Sequence, residues 1–168
     1  MRPAAAIGLA CLLGGSTGLT AQASQSRTAT LKVAAHVVAD CMISTTPLNF
    51  GNYDPVGVHA TQPLDGTTQL SVVCTKGTIA AIEMDQGQHA SGGSASRRMA
   101  GPGGDLLGYE IYSDVARRAR WGTQQAGVSL TAAPSTAPRL VTVYGRVAAK
   151  QDVVAGSYAD EVIVTVRF

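Results

Sequence analysis

The sequence predicts an all-β domain, an antiparallel β-sandwich, and three observations carry that prediction. Short segments in which apolar and polar residues alternate recur along the chain, and their connections are rich in Gly, Ser and Pro. A pair of cysteines stands in what reads as an exported chain. Helical periodicity is nearly absent, and residues 115–120 have room for a single helical turn at most.

The first 23 residues read as a signal peptide. Met1-Arg2 is a short basic start, residues 4–13 are apolar, residues 14–20 are small and polar, and Ala21-Gln22-Ala23 has the small-x-small form of a cleavage site. The mature chain is expected to begin at Ser24. The apolar run is too short for a permanent span, and no later segment approaches about 18 continuous apolar residues, so export to the periplasm or beyond without a membrane anchor is expected. About 145 residues remain, enough for one domain with its own core. We divide them into an N-terminal extension, residues 24–40, and a β-domain, residues 41–168.

Leu31, Val33, Ala35 and Val37 alternate with Lys32, Ala34 and His36, which predicts a first strand with one apolar face. Residues 47–53 read as a short strand kinked at Gly51, followed by a turn at Asn52-Tyr53-Asp54-Pro55 and a polar loop to Gly66. Residues 67–75 and 78–84 read as a hairpin around Lys76-Gly77. Residues 86–104, rich in Gly, Ser and Ala, read as a long loop. Strands follow at 106–112, 128–131 and 140–148, and residues 151–156 turn the chain into a last strand at 158–168.

That last strand places Val162, Val164, Val166 and Phe168 on one face. With no residue after Phe168 to supply a neighbour, a strongly apolar strand needs a partner from elsewhere, and another molecule is one source. This pattern points to an assembly subunit rather than an enzyme.

With Cys11 in the signal segment, Cys41 and Cys74 form an even pair in an exported chain and are expected to be disulfide-bonded. A metal site is the rival reading, and it lacks a histidine at ligand spacing. Without Arg2 the thirteen Lys and Arg fall to twelve against eleven Asp and Glu, a balance that offers no broad attraction to nucleic acid or anionic lipid. Arg117, Arg118 and Arg120 beside Trp121 read as a solvated loop with a packed aromatic.

Catalytic signatures are missing. His36, His59 and His89 lie on separate segments and read as surface histidines. Gly93-Ser94-Ala95-Ser96 lacks the closing glycine of a nucleophile elbow, and no Gly-Lys-Ser/Thr follows the glycines at 101–104 to make a phosphate cradle. Glu83, Asp85, Asp114, Asp160 and Glu161 are scattered carboxylates that strand ends and turns account for, although a pair assembled in space stays open. No enzyme activity, cofactor or metal is expected.

Several landmarks then fall in a recognisable order. Cys41-Met42-Ile43, Leu48-Asn49-Phe50-Gly51-Asn52-Tyr53, Leu70-Ser71-Val72-Val73-Cys74, Arg98-Met99, Leu107-Gly108-Tyr109, Trp121-Gly122, Val143-Tyr144-Gly145-Arg146 and Gly156-Ser157-Tyr158-Ala159-Asp160 resemble the spore coat protein U domain family, which includes subunits of archaic, Csu-type chaperone-usher pili. The Gly-rich stretch before Leu106 departs from that pattern. The resemblance implies an incomplete immunoglobulin-like β-sandwich completed by a donor strand from another subunit. A periplasmic chaperone would fill the groove first, and at an outer-membrane usher the N-terminal extension of the next identical or related pilin would replace it. Leu31, Val33, Ala35 and Val37 would then be the donor set. Val162, Val164, Val166 and Phe168 would edge the acceptor groove and bind the chaperone. A pilus supporting surface adhesion or biofilm formation is the implied function; a spore-coat-like or adhesive module that folds as a self-complemented monomer is the alternative.

Overall fold

The period-two segments pair into two antiparallel sheets in a computed structural model that describes residues 24–90, 97–123 and 126–168. The strands are β1 (Cys41–Thr45), β2 (Leu64–Cys74), β3 (Ala80–Met84), β4 (Arg97–Ala100), β5 (Leu106–Tyr112), β6 (Val128–Leu130), β7 (Arg139–Val147) and β8 (Val164–Arg167). One sheet has the order β1-β2-β7-β5-β4 and the other β6-β3-β8. The helical elements with stated bounds are two 3-10 turns, Val58–Ala60 and Pro102–Gly104. No helix there is long and apolar enough to cross a membrane. The predicted signal peptide lies outside the described residues.

The chain divides into two units, Met1–Ala35 and His36–Phe168. Within the first, residues 24–35 form neither strand nor helix, and Leu31 and Val33 are each 85% exposed. The strand expected at residues 31–37 is therefore not formed: a single apolar-faced segment has no ladder to make without a partner.

The second unit is an incomplete immunoglobulin-like sandwich whose core comes from alternate positions of its longest strands. Leu70, Val72 and Cys74 of β2, Leu107, Tyr109 and Ile111 of β5, and Val143 and Val147 of β7 are buried from one sheet; Ala80, Ile82 and Met84 of β3 close over them from the other. Trp121, fully buried, donates from its indole N–H to the Ile82 carbonyl at 2.9 Å, so its one polar atom is satisfied inside the core.

Five further expectations are corrected. Residues 75–78 do form a tight turn, with the Thr78 amide donating to the Thr75 carbonyl and Gly77 at φ 88°. The strands it joins are not a hairpin, however, because β2 pairs with β1 and β7 whereas β3 pairs with β6 and β8. Residues 47–53 make no ladder. β4 lies inside the predicted loop 86–104, and the last strand makes its ladder only over Val164–Arg167. His59 is not a surface histidine: it is buried, stacked on Tyr53 at 5.1 Å between ring centroids, with Nδ1 3.1 Å from the Gln62 carbonyl oxygen. Between Ser113 and Arg120 the chain makes a hydrogen-bonded turn at Asp114, with Arg117 at φ 54°, and no helix.

Cys41 and Cys74 are bonded, directly opposite one another in the β1–β2 register. The bond closes a loop with a sequence separation of 33. In the chain-entropy account this contributes roughly 3.7 kcal/mol by restricting the unfolded chain. Cys41→Ser is accordingly expected to cost about 3–4 kcal/mol, read as a drop in urea midpoint that reduction of the parent chain reproduces.

Candidate binding groove

β1 and β8 are each the outermost strand of their sheet. Among the described residues no strand pairs with the free edge of either. A groove of about 930 Å³ opens where β1 ends at Thr45 and β8 begins at Val164, both of which line it. Its floor is apolar core: Leu64, Leu70, Met84, Leu107, Val143 and Val147. Residues 45–55 form one wall, and residues 153–160 with Val162 and Val164 form the other. An edge strand beside an apolar trough presents unpaired main-chain groups and alternate side-chain pockets together, which is what an added strand needs.

The predicted acceptor residues divide. Val162 and Val164 line the groove, and Val166 packs on the core beside them, with Val164 opposite Met84 and Val166 opposite Ile82 in the β3 register. Phe168 is 57% exposed and does not line it. The predicted donor residues Leu31, Val33, Ala35 and Val37 are all exposed, Val37 by 78%. Asp40 and Val38 are tied to the end of β2 by Thr75. The Thr75 amide donates to the Asp40 carbonyl at 2.9 Å, its hydroxyl donates to the Val38 carbonyl at 3.2 Å, and the same hydroxyl oxygen accepts from the Asp40 amide at 3.2 Å.

This clamp places the base of the extension at the end of the sandwich where β8 finishes. Cys74 leads through the 75–78 turn into β3, whose Ala81 is opposite Arg167. At the opposite end of the sandwich, residues 47–53 and 153–158 line the groove. Leu48 and Phe50 point into the sandwich over Gly66 and Gly145, which are partners in the β2–β7 register. Phe50 meets Tyr109 edge-on at 6.1 Å between centroids. Tyr53 secures the segment's end: its hydroxyl donates to the Ala148 carbonyl and accepts from the Gln151 amide, both at 3.0 Å.

Before β8 begins, side chains rather than a ladder hold the wall. The Asp160 carboxylate, only 1% exposed, accepts from the Tyr109 hydroxyl at 2.7 Å and the Gln88 amide at 3.0 Å, with His89 Nδ1 at 3.0 Å. Burial first, then the hydrogen bond to Asp160, raises the Tyr109 phenol above its ordinary value of 10.0, so it stays a donor. Asp85 Oδ1 accepts from the Ile163 amide at 2.9 Å. Arg97 holds the Asp85 carbonyl through Nε and Nη2 at 2.9 and 2.6 Å, and Nη2 also reaches the Trp121 carbonyl at 2.7 Å. Burial lowers the guanidinium's pKa below its ordinary value. The His89–Asp160 contact belongs to this bracing, because both carboxylate oxygens are already engaged by Tyr109 and Gln88. Among the described residues no three His, Cys, Asp or Glu side chains gather as a metal site.

Sequence reasoning assigned no site role to Phe50, Asp160 or Arg97. The first two stood in the quoted landmarks, and their type carried no hint of position; Arg97 sat in a Gly/Ser-rich stretch without pattern.

The Spore Coat Protein U domain matches residues 27–165. Protein U of Myxococcus xanthus is 38% identical over 152 residues, covering 84% of each chain. Among solved structures, the chaperone–tip adhesion subunit pre-assembly complex of the archaic chaperone-usher Csu pili of Acinetobacter baumannii is similar in fold, with a TM-score of 0.58 and 24% identity. That match covers 79% of this chain and only 40% of the other, so this chain spans less than half of its length.

Proposed function

We propose that this chain, which belongs to the Spore Coat Protein U domain family, is a structural subunit of a secreted chaperone-usher pilus that polymerises by donor-strand exchange. The open apolar groove lined by Thr45, Val162 and Val164 carries the reading, together with the alternating apolar face that the sequence of the extension offers. Leu31, Val33, Ala35 and Val37 of one copy enter the groove of another along Val162, Val164 and Val166. Burying Leu31, Val33 and Val37 at about 1.5–3 kcal/mol each gives roughly 5–9 kcal/mol before ordering costs, comparable with the net stability of a domain. A periplasmic chaperone holds the groove until an outer-membrane usher joins the subunits, and the polymer stands outside the cell, supporting adhesion or biofilm formation. The protein is not an enzyme in this reading.

Chain direction favours donation between copies over self-complementation. The extension is clamped where β8 ends, so laying it into its own groove would run it parallel to β8. A donor from another copy enters from the Val162 end and pairs antiparallel, the slightly stronger ladder.

Adding a synthetic peptide of residues 24–40 to the exported chain tests the reading. The expected result is a one-to-one complex with a raised melting temperature, which a scrambled peptide does not produce. A monodisperse monomer whose residues 24–40 already resist protease, and which ignores the peptide, would contradict it.

A further inference from the structure

The donor-strand reading leaves the register of the inserted strand open, and the groove contains a feature that selects one. On the face of β2 that looks into the sandwich, Leu64, Gly66, Thr68 and Leu70 follow one another with Val147, Gly145, Val143 and Val141 of β7 as their partners. Three of these four levels carry side chains. At the Gly66–Gly145 level the sheet contributes none, although both glycines sit inside strands, where the residue weakens a ladder unless something must approach closely.

Something does. A Cβ at Gly145 would lie 2.7 Å from Leu48 Cδ2 and 2.7 Å from Phe50 Cζ; one at Gly66 would lie 3.0 Å from Phe50 Cδ1. Neither glycine has a positive φ, so room for Leu48 and Phe50, and not backbone freedom, accounts for both. The Phe50 ring also lines the groove. A donor side chain reaching this level therefore meets an aromatic ring seated on bare backbone, whereas the levels on either side open onto the core.

The donor carries a matching irregularity. Its inward set is Leu31, Val33, Ala35 and Val37, three branched side chains and one methyl group. Both strands repeat every two residues, about 6.6 Å, so their levels stay in step along the groove. Entry from the Val162 end puts Val37 outermost, at the Leu64–Val147 level, and Ala35 at the next.

Resting on the donor-strand reading above, we infer that Phe50, seated on the Gly66–Gly145 pair, makes a shallow station that accepts Ala35 and rejects a larger side chain, and so sets the donor register. A slip by two residues in either direction would drive Val33 or Val37 against the ring.

Peptides of residues 24–40 separate this claim from the one beneath it. Ala35→Leu in the peptide is expected to weaken binding to the exported chain at least tenfold. On a chain carrying Phe50→Ala that penalty should fall below threefold, because the ring it strikes is gone. Phe50→Val, which keeps more of the packing on the glycines, serves if Phe50→Ala does not fold, and should bring the penalty down part of the way. Equal binding of the Ala35→Leu and unaltered peptides overturns the inference, as does an unchanged penalty on a folded Phe50 variant. In those two cases the unaltered peptide still binds, so the donor reading survives. If the unaltered peptide fails to bind, both fall together.

Discussion

Arg97→Ala should lower the stability of the domain by about 3–5 kcal/mol, a large part of what a domain of this size possesses. The side chain is 1% exposed, and its guanidinium spans three carbonyls, those of Met84, Asp85 and Trp121. Truncation leaves these acceptors buried without donors, at about 1–3 kcal/mol each when nothing replaces the bond, and opens a cavity beside Trp121. Water entering the cavity returns part of the loss, which holds the expected total below the sum. Urea unfolding should show the midpoint falling by about 2 M. Arg98→Ala is the contrasting case: its Nε donates to the His89 carbonyl from a half-buried position, and the cost should stay near 1 kcal/mol. If the two substitutions proved equal, the brace between β4, the Asp85 turn and Trp121 would not be holding the wall of the groove.

The same residue explains why part of the fold was hard to read in the sequence. β5 has the predicted bounds, and β2 and β7 nearly so, because Leu107, Tyr109 and Ile111 or Leu70, Val72 and Cys74 keep the period of two that burial on one face imposes. In β4 the fully buried position is an arginine, so the apolar pattern is broken where the strand is deepest, and the flanking glycines and serines read as loop. β1 is short, and its inward Cys41 and Ile43 alternate with an exposed Met42 that hides the face. At residues 47–53 the alternation of Leu48 and Phe50 truthfully reports that both side chains turn inward. Their backbone has no neighbouring strand to pair with, so inward alternation there does not make a ladder. Turn chemistry located the bend at Lys76-Gly77, but a turn does not reveal whether its two strands share a sheet.

The groove was legible by halves. Val162 and Val164, which line it, stood out through one alternating segment. The floor and far wall did not, since Gly66, Gly145, Phe50, Tyr109 and Asp160 come together only after β2, β5 and β7 have paired. No spacing along the chain encodes that meeting.

Assembly of the Val33→Asp chain, compared with Ala34→Asp, tests the central claim most directly. An aspartate at position 33 carries a charge into an apolar groove, where desolvation costs several kcal/mol, whereas position 34 faces away in a strand of period two. Because residues 24–35 make no strand in the subunit itself, both variants should be exported, form the Cys41–Cys74 bond and occupy a chaperone through Val162, Val164 and Val166. The account predicts that Val33→Asp yields no polymer while Ala34→Asp assembles at close to the parent level. Polymer from Val33→Asp in parent amounts, with the loss falling on Ala34→Asp or on neither, would contradict it.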